Sequence, residues 1–326
     1  GKCLESLIAQ DHPADDHIIL VLDGGSTDNS QSEIENAINY SQQNNGPKIE
    51  LMDNPGRHVS SARNLALSRI PPSVTHLIEL IGHCIVPKNH ISTRMKSWRK
   101  YDLQTKENNS APLGALGVKV LSREGNLGMF ESWVEGALSS PLGSGGGQFD
   151  NFSSAGKTKI PAFATHLRSA VQDVGGWDDD FISCQDSDLS MRMIEQGYCL
   201  MRCPETTVSM AKRTSVTRWW KMGHRYGFWR TKTVLRHPKR ISLREYAPWF
   251  GLVLSAVLFA LSSDYWGIPA VLYGVVLLVE ALRSSISNRR ISLLIGIPVC
   301  LFMLHTSFSI GLFDGLLRKG KAASDR

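Results

Sequence analysis

The sequence predicts an α/β fold with a mostly parallel sheet, followed by C-terminal transmembrane helices. Two observations carry this expectation. Through the first two hundred or so positions, apolar β-rich runs alternate with segments of helical spacing, and from Pro248 onward three long apolar segments follow one another. Strands that are apolar throughout, rather than alternating, belong to parallel sheets covered on both faces.

The chain opens on GKCLESLIAQDHP, where Cys3, Leu4, Leu7 and Ile8 share one face of an amphipathic helix. It has no initiating Met and no cleavable secretion signal, so opening inside a helix reads as a fragment. HIILVLDGGSTDNS is a strand ending in a Gly-Gly-Ser-Thr-Asp turn, and QSEIENAINYSQQ has helical spacing. A strand at KIELMDN, a helix near SSARNLALSRI and a strand at HLIELIG complete the first group. The second group runs LGALGVKVLS (strand), SSPLGSGGGQFDNF (loop), KIPAFATHL (strand-like), RSAVQDVGG (helix), WDDDFISCQDSD (turn) and LSMRMIEQGYCLM (helix). The glycine-rich loop lacks P-loop spacing and reads as a flexible lid.

The 326 residues carry a net charge of +6 that is unevenly placed. From Lys212 to Arg244 a basic run is interleaved with Trp219, Trp220 and Trp229, directly before the first apolar segment. Nucleic-acid binding is one reading of such a run. Its position favours a juxtamembrane segment lying on anionic lipid and keeping this end cytoplasmic. The apolar segments have lengths near or above a membrane span, with Trp249, Tyr265 and Trp266 at their ends. Basic residues precede the first and RSSISNRR links the second to the third, so both should be cytoplasmic. Three full spans would then put the basic tail RKGKAASDR outside. The last segment, broken by Pro298 and His305, is therefore expected to be re-entrant or interfacial, with Asp314 near water. The division expected is an α/β domain at 1–211, a basic-aromatic segment at 212–246, two or three membrane helices within 247–318 and a basic tail at 319–326. Six cysteines without C-x-x-C spacing fit reduced thiols of a cytosol-facing domain. Cys199 and Cys203 lack the second ligand pair of a zinc site.

Three clusters carry possible chemistry, all at strand ends or in loops. Asp23-Gly24-Gly25-Ser26-Thr27-Asp28 combines glycines that turn sharply with a carboxylate able to accept from a nucleobase or ribose. Alone it is also a plain turn with Asp28 or Ser26 as helix cap. In NPGRHVSSARNLAL, Arg57 and Arg63 flank a helix start and make an anion-friendly corner. Gly175-Gly176-Trp177-Asp178 is followed by Gln185-Asp186-Ser187-Asp188 and Arg192. A carboxylate at a loop-to-helix junction suits general-base work, and equally a helix first turn.

In their order, LVLDGGSTDNS, NPGRHVSSARNLALS, GGWDDDFISCQDSDLSMRMIEQGY and RWWKMGHRYGFWR resemble the inverting family 2 glycosyltransferases. Within them they resemble the membrane-attached enzymes of succinoglycan-type exopolysaccharide synthesis, and LHTSFSIGLFDGLLRKG resembles that subgroup's ending. The resemblance implies a GT-A fold lacking its first strand, a nucleotide-diphosphate sugar donor and a divalent metal, Mg²⁺ or Mn²⁺. It implies that Asp23, with Gly25 in its turn, contacts the nucleoside, that Arg63 lies near the nucleotide, and that Asp186 deprotonates the acceptor. Asp188 and Arg192 would shape the same site, and Arg225 and Tyr226 would lie near the diphosphate or acceptor.

Departures from the family pattern accompany this likeness. Gln185-Asp186 replaces a Glu-Asp pair, and Met222 stands where a Gln is expected. Where the subgroup has Asp-Ala-His, with its Asp meeting the metal, this chain has Ile81-Gly82-His83. Glu79 lies two residues back, and only His83 of the triplet can bind a metal or phosphate. Two functions follow. One is a multi-pass membrane enzyme with a cytoplasmic catalytic domain, moving sugar to a glycan or lipid-linked acceptor. The other is a catalytically impaired sugar-nucleotide-binding or scaffold subunit of a polysaccharide assembly.

Overall fold

In chain order the elements are α1 (Lys2–Ile8), β1 (Ile18–Asp23), α2 (Ser30–Gln43), β2 (Lys48–Asp53), α3 (Val59–Arg69), β3 (His76–Ile78), β4 (Cys84–Ile85), α4 (His90–Glu107), β5 (Leu113–Ser122), α5 (Met129–Ser139), α6 (Pro141–Ser144), β6 (Gly156–Lys157), β7 (Thr165–Leu167), α7 (Arg168–Asp173), α8 (Gln185–Glu195), β8 (Cys199–Met210), α9 (Val216–Arg236), α10 (Leu243–Ala260), α11 (Ile268–Asn288) and α12 (Leu293–Leu317). The computed structural model describes residues 1–322 except 109, 145–148, 150, 151 and 213. Of the glycine-rich stretch expected to act as a lid, 145–148, 150 and 151 lie outside the described residues, as does the end of the basic tail, and the start of that stretch, expected as loop, is helical in α6. The chain forms two units, residues 1–123 with 152–211, and residues 124–151 with 212–326.

In the first unit β1 and β2 pair in parallel, in a register that sets Asp23 opposite Asp53 at their carboxyl ends. Leu4 and Leu7 of α1, Ile19, Ile34 and Ile49 pack into one core with β5. The second sheet has the order β3-β7-β5-β8-β4, with β6 added to β8. Among the described residues the mostly parallel sheet expected is divided in two. The two long ladders, β1–β2 and β5–β8, are parallel, and four short ladders are antiparallel. Strands of two or three residues carry too little sequence to show their direction. For the same reason KIPAFATHL yields only Thr165–Leu167, HLIELIG only His76–Ile78, and Cys199–Met201, read above as a helix end, open β8.

Arg94 is fully buried behind this sheet. Its Nε donates to His90 Nε2 at 2.7 Å and its Nη1 to Thr165 Oγ1 at 2.9 Å, while His90 Nδ1 lies 2.9 Å from Thr206 Oγ1. Burial, then the neighbouring Arg94 charge, pushes the His90 imidazole down to about 2. A neutral imidazole able to accept one hydrogen bond and donate another fits both partners.

In the second unit α9 runs parallel to α12, because contacts climb both helices together. Trp219 Nε1 donates to Cys300 O at 3.0 Å, Thr231 Oγ1 to Leu312 O at 3.0 Å, and Lys232 Nζ to Arg318 O at 2.6 Å. Gly223 and Gly227, four apart on α9, face Ser307 and Phe308, and Gly311 and Gly315 on α12 face His224 and Phe228. Small residues at this spacing let two helix backbones touch. Trp219 and Trp229 are consequently buried in protein, and of the three tryptophans expected on the lipid surface Trp220 alone is exposed. Met222 is also core.

Helices α10, α11 and α12 are each long and apolar enough to cross a membrane, by length and composition. α12 is one continuous helix despite Pro298. It also runs unbroken through His305, whose ring nitrogens lie 2.8 Å from Tyr273 Oη and 2.9 Å from Leu142 O.

Candidate active site

The Asp23 turn is closed by its own side chains. The carboxylate accepts from Ser26 Oγ at 2.5 Å, from the Ser26 amide at 3.1 and 3.2 Å, and from Gln31 Nε2 at 3.3 Å. The Ser26 hydroxyl bond leads these in holding the Asp23 carboxyl below the ordinary carboxylate range, against the opposing effect of burial. Ser26 therefore serves Asp23, and it is Asp28 that accepts from a helix-start amide, that of Ser30 at 3.0 Å. Gly25 has φ +87°, the left-handed region in which a side chain is strained.

α3 and the loop before it connect this turn to the third cluster. The Asn54 amide donates to Asp23 O at 2.7 Å, and Arg57 lies against Gly24 and Gly25, its Nε 3.7 Å from where a methyl group on Gly25 would sit. One turn into α3, Asn64 clasps the backbone of Trp177. Its Nδ2 donates to Trp177 O at 2.7 Å, and its Oδ1 accepts the Trp177 amide at 2.9 Å. This close approach requires glycine at 176, where φ is +78° and a methyl group would sit 2.6 Å from Asn64 Oδ1. The Arg63 guanidinium lies 5.6 Å from the Trp177 ring centroid.

Arg63 is also held from below. Its Nη2 is 2.7 Å from Glu79 Oε2, and His166 Nε2 is 3.0 Å from Glu79 Oε1. Burial alone would raise the Glu79 carboxyl, but Arg63 and then His166 outweigh it and hold it below its ordinary value. The motif-based reading named Arg63 and Glu79 and missed Asn64 and His166. No local motif marks either, and Asn64 lay in plain view inside the quoted helix.

Arg192 completes the third cluster. Its Nε and Nη2 are both 2.8 Å from the fully buried Asp188 carboxylate, and its Nη1 donates to Val174 O at 2.5 Å. That ties the first turns of α8 to the Gly175-Gly176 turn. Asp186, half-exposed in the first turn of α8, accepts the Ser187 amide on Oδ1 at 2.8 Å. Cys184 enters the helix at φ +60°. His83 sits in an exposed turn closed by the Cys84 amide on Ile81 O at 3.1 Å. Asp23, Gly25, Arg63, His83, Asp186, Asp188 and Arg192 thus lie in the first unit, and Arg225 and Tyr226, on α9, in the second.

The residues present do not make up a protein-held cation site of the kind the resemblance implies. Ile81 offers no donor, Glu79 is committed to Arg63 and His166, and among the described residues no three His, Cys, Asp or Glu side chains converge.

Strand-end carboxylates, an arginine-bearing helix start and an acid at a loop-to-helix junction sit on a GT-A glycosyltransferase fold. A mannosyltransferase from Pyrobaculum calidifontis, solved with GDP-Man and Mn²⁺, shares it at TM-score 0.63 and 13% identity over 96% of this chain and 82% of that one. In residues 1–97 the chain matches the family model described as Glycosyl transferase family 2. Its relatives are glycosyltransferases and a polysaccharide-synthesis protein. A dolichyl N-acetyl-α-D-glucosaminyl phosphate 3-β-D-2,3-diacetamido-2,3-dideoxy-β-D-glucuronosyltransferase of Methanococcus voltae is 24% identical over 97% of this chain and 92% of its own length. The succinoglycan biosynthesis protein ExoA of Rhizobium meliloti (strain 1021) is 24% identical over 79% of this chain and 75% of its own.

Proposed function

We propose that the protein is a membrane-attached inverting glycosyltransferase that moves a sugar from a nucleotide-diphosphate donor to a lipid-linked glycan hydroxyl. The observation that carries this reading is the continuous set of contacts from Asp23 through Asn54, Arg57 and Asn64 to Trp177, and from Val174 through Arg192 to Asp188. Asp23 and Gly25 would receive the nucleoside. Arg57 would face the diphosphate together with Arg63, whose Nη1 is buried without a hydrogen-bond partner.

Asp186 would take the acceptor proton on Oδ2, its Oδ1 being turned to the Ser187 amide. The acceptor oxygen then bonds to the anomeric carbon as the bond from that carbon to the diphosphate oxygen breaks, and the leaving charge is met by cationic side chains. His83 belongs to the diphosphate side in this scheme. A lipid-phosphate-linked acceptor agrees with the substrate in the name of the Methanococcus relative.

The basic stretches at 212–244 and 283–290 support a cytoplasmic catalytic unit and α11–α12 link, with α10 and α11 as the two full spans. α12 then lies along the membrane surface rather than through it. It is paired lengthwise with α9, a helix carrying Arg218, Lys221, Arg225, Arg230 and Lys232, which no hydrocarbon core would admit. A reporter fused after Arg326 is expected on the catalytic side, and finding it on the far side would refute this arrangement.

The catalytic assignment is tested by donor turnover of the full chain in Mg²⁺, in Mn²⁺ and with neither, against Asp186→Asn. We expect turnover reduced about 10²- to 10⁴-fold by the substitution, the usual worth of a general base. Ile81 in the place of an acid favours a second reading, a sugar-nucleotide-binding subunit without transfer. Donor binding with no turnover under all three conditions would establish that one instead.

A further inference from the structure

We propose that Cys3 and Cys84 are a site of reversible oxidation, at which a peroxide closes the two thiols into a disulfide that fastens α1 to the turn Ile81-Gly82-His83 and to β4. The pair lies wholly in the first unit, and the proposal does not depend on the sugar-transfer reading.

Eighty-one positions separate the two cysteines in the chain, yet their sulfurs are 3.9 Å apart. A sulfur–sulfur bond is about 2 Å long, so closure asks each side chain for a shift of roughly 1 Å. The approach is held by more than the sulfurs, because α1 and the residues after it lie along 81–91. The Val86 amide donates to Ser6 Oγ at 3.3 Å, Gln10 Nε2 to Pro87 O at 2.9 Å, the Asp11 amide to Lys88 O at 2.9 Å and the Ile91 amide to Gln10 Oε1 at 2.9 Å. Leu4, Leu7 and Cys84 share one core. Closure therefore adds a covalent bond to a contact already formed, instead of dragging two elements together.

The surroundings favour the chemistry. The hydrogen bond between the sulfurs leads in holding the Cys84 thiol below its ordinary value against burial, and the charge of Arg94, itself fully buried, works the same way. A thiol so held is the nucleophile of the pair. Its thiolate attacks one peroxide oxygen, the O–O bond breaks, and the hydroxide released takes up the proton that Cys84 gave up, leaving a sulfenic acid on Cys84 and one water. The Cys3 sulfur then bonds to the Cys84 sulfur, the S–O bond breaks, and the departing hydroxide takes the Cys3 proton as a second water. Two electrons pass from the thiols to the peroxide, and a dithiol returns them by exchange. In the reduced chain Cys3 Sγ donates to Ile81 O at 3.5 Å, and that bond is lost with its proton, so oxidation is felt at the turn that carries His83.

The test uses the full chain in a neutral detergent, reduced, freed of reductant and treated with increasing hydrogen peroxide. Free thiols are counted, and crosslinked peptides are identified by mass before and after dithiothreitol. Two of the six thiols are expected to disappear first, in one peptide pair joining Cys3 to Cys84, with a rise in the melting midpoint that dithiothreitol reverses. Cys3→Ser is expected to leave Cys84 as a sulfenic acid that dimedone traps, an adduct the unaltered chain should not show. Cys84→Ser is expected to slow the loss of the Cys3 thiol at least about tenfold. If Cys84→Ser fails to fold, Cys3→Ser and the crosslink decide. No crosslink or one between other cysteines, an unchanged rate of Cys3 loss in Cys84→Ser, or no dimedone adduct on Cys84 in Cys3→Ser overturns the proposal.

Discussion

Glu79 Oε2 lies 2.7 Å from Arg63 Nη2, and its other oxygen is 3.0 Å from His166 Nε2, so the acid nearest the altered Ile81-Gly82-His83 turn is a structural anchor. It holds the guanidinium that stacks on Trp177. Glu79→Gln keeps the size and removes the charge, leaving Arg63 in a largely buried position without its counter-ion. The expected cost is about 1–3 kcal/mol of stability. If Arg63 faces the donor, KM for the sugar nucleotide should rise more than kcat falls. A melting curve and initial rates measure both, and an unchanged midpoint would show that the ion pair is dispensable.

Acid should destabilise the first unit in two stages. The folded-state values of Glu79, Asp23 and His90 are all depressed, so each group binds more protons unfolded than folded. The His90 contribution is fully present above its ordinary value of 6.5 and is lost as pH falls from there toward about 2. Those of Glu79 and Asp23 hold above 4.5 and 3.8 and are lost below them, as pH falls through their depressed folded values. Melting midpoints of the full chain from pH 8 to 4 should fall first below about 6.5. His90→Gln, which does not titrate, should remove that first stage and leave the second. A midpoint flat down to pH 5 would contradict the neutral, buried His90.

The Asn64–Trp177 clasp makes the Gly175-Gly176 turn sensitive to small changes. Asn64→Ala deletes both backbone hydrogen bonds at once and is expected to cost about 1–3 kcal/mol while leaving a buried amide without a partner. Gly176→Ala is expected to be at least as severe, since the added methyl would meet Asn64 Oδ1 at 2.6 Å in a left-handed backbone. A double-mutant cycle on the melting midpoint should show strong coupling, because both changes attack one contact. Simple additivity would mean that the two act separately.

What the sequence disclosed about this site follows from the range of the interactions. Asp23, Ser26 and Gly25 make a turn whose chemistry is contained in a few consecutive residues, so its motif was legible. The same holds for Asp188 and Arg192, one helical turn apart. Glu79 with His166, and Asn64 with Trp177, join residues far apart in the chain, and neither partner carries a pattern that names the other. The stretch that forms α9 was legible as a basic-aromatic run, but its packing was not. Trp219 and Trp229 were assigned to lipid because tryptophan suits a membrane interface as well as a core, and only the position of α12 decides between them.

That position rests on four glycines, and they give the sharpest prediction for the second unit. A methyl group on Gly227 would stand 2.0 Å from Phe308 O, and one on Gly311 would stand 2.1 Å from His224 O. Neither obstacle can yield, because both are backbone carbonyls of the facing helix. Gly227→Ala or Gly311→Ala should therefore force α9 and α12 apart, stretching the Trp219–Cys300 and Thr231–Leu312 bonds that flank the contact. Overpacking of this kind costs about 1–3 kcal/mol and often more where backbone must move. Gly251 on α10 has open space around it, so Gly251→Ala controls for helix propensity alone and should be neutral or slightly stabilising. The measurement is the melting midpoint of each full-length variant, with Trp219 buried against α12 expected to report the loosening as a red-shifted emission. Tolerance of alanine at both Gly227 and Gly311 would refute the close pairing of the two helices, and with it the surface placement of α12.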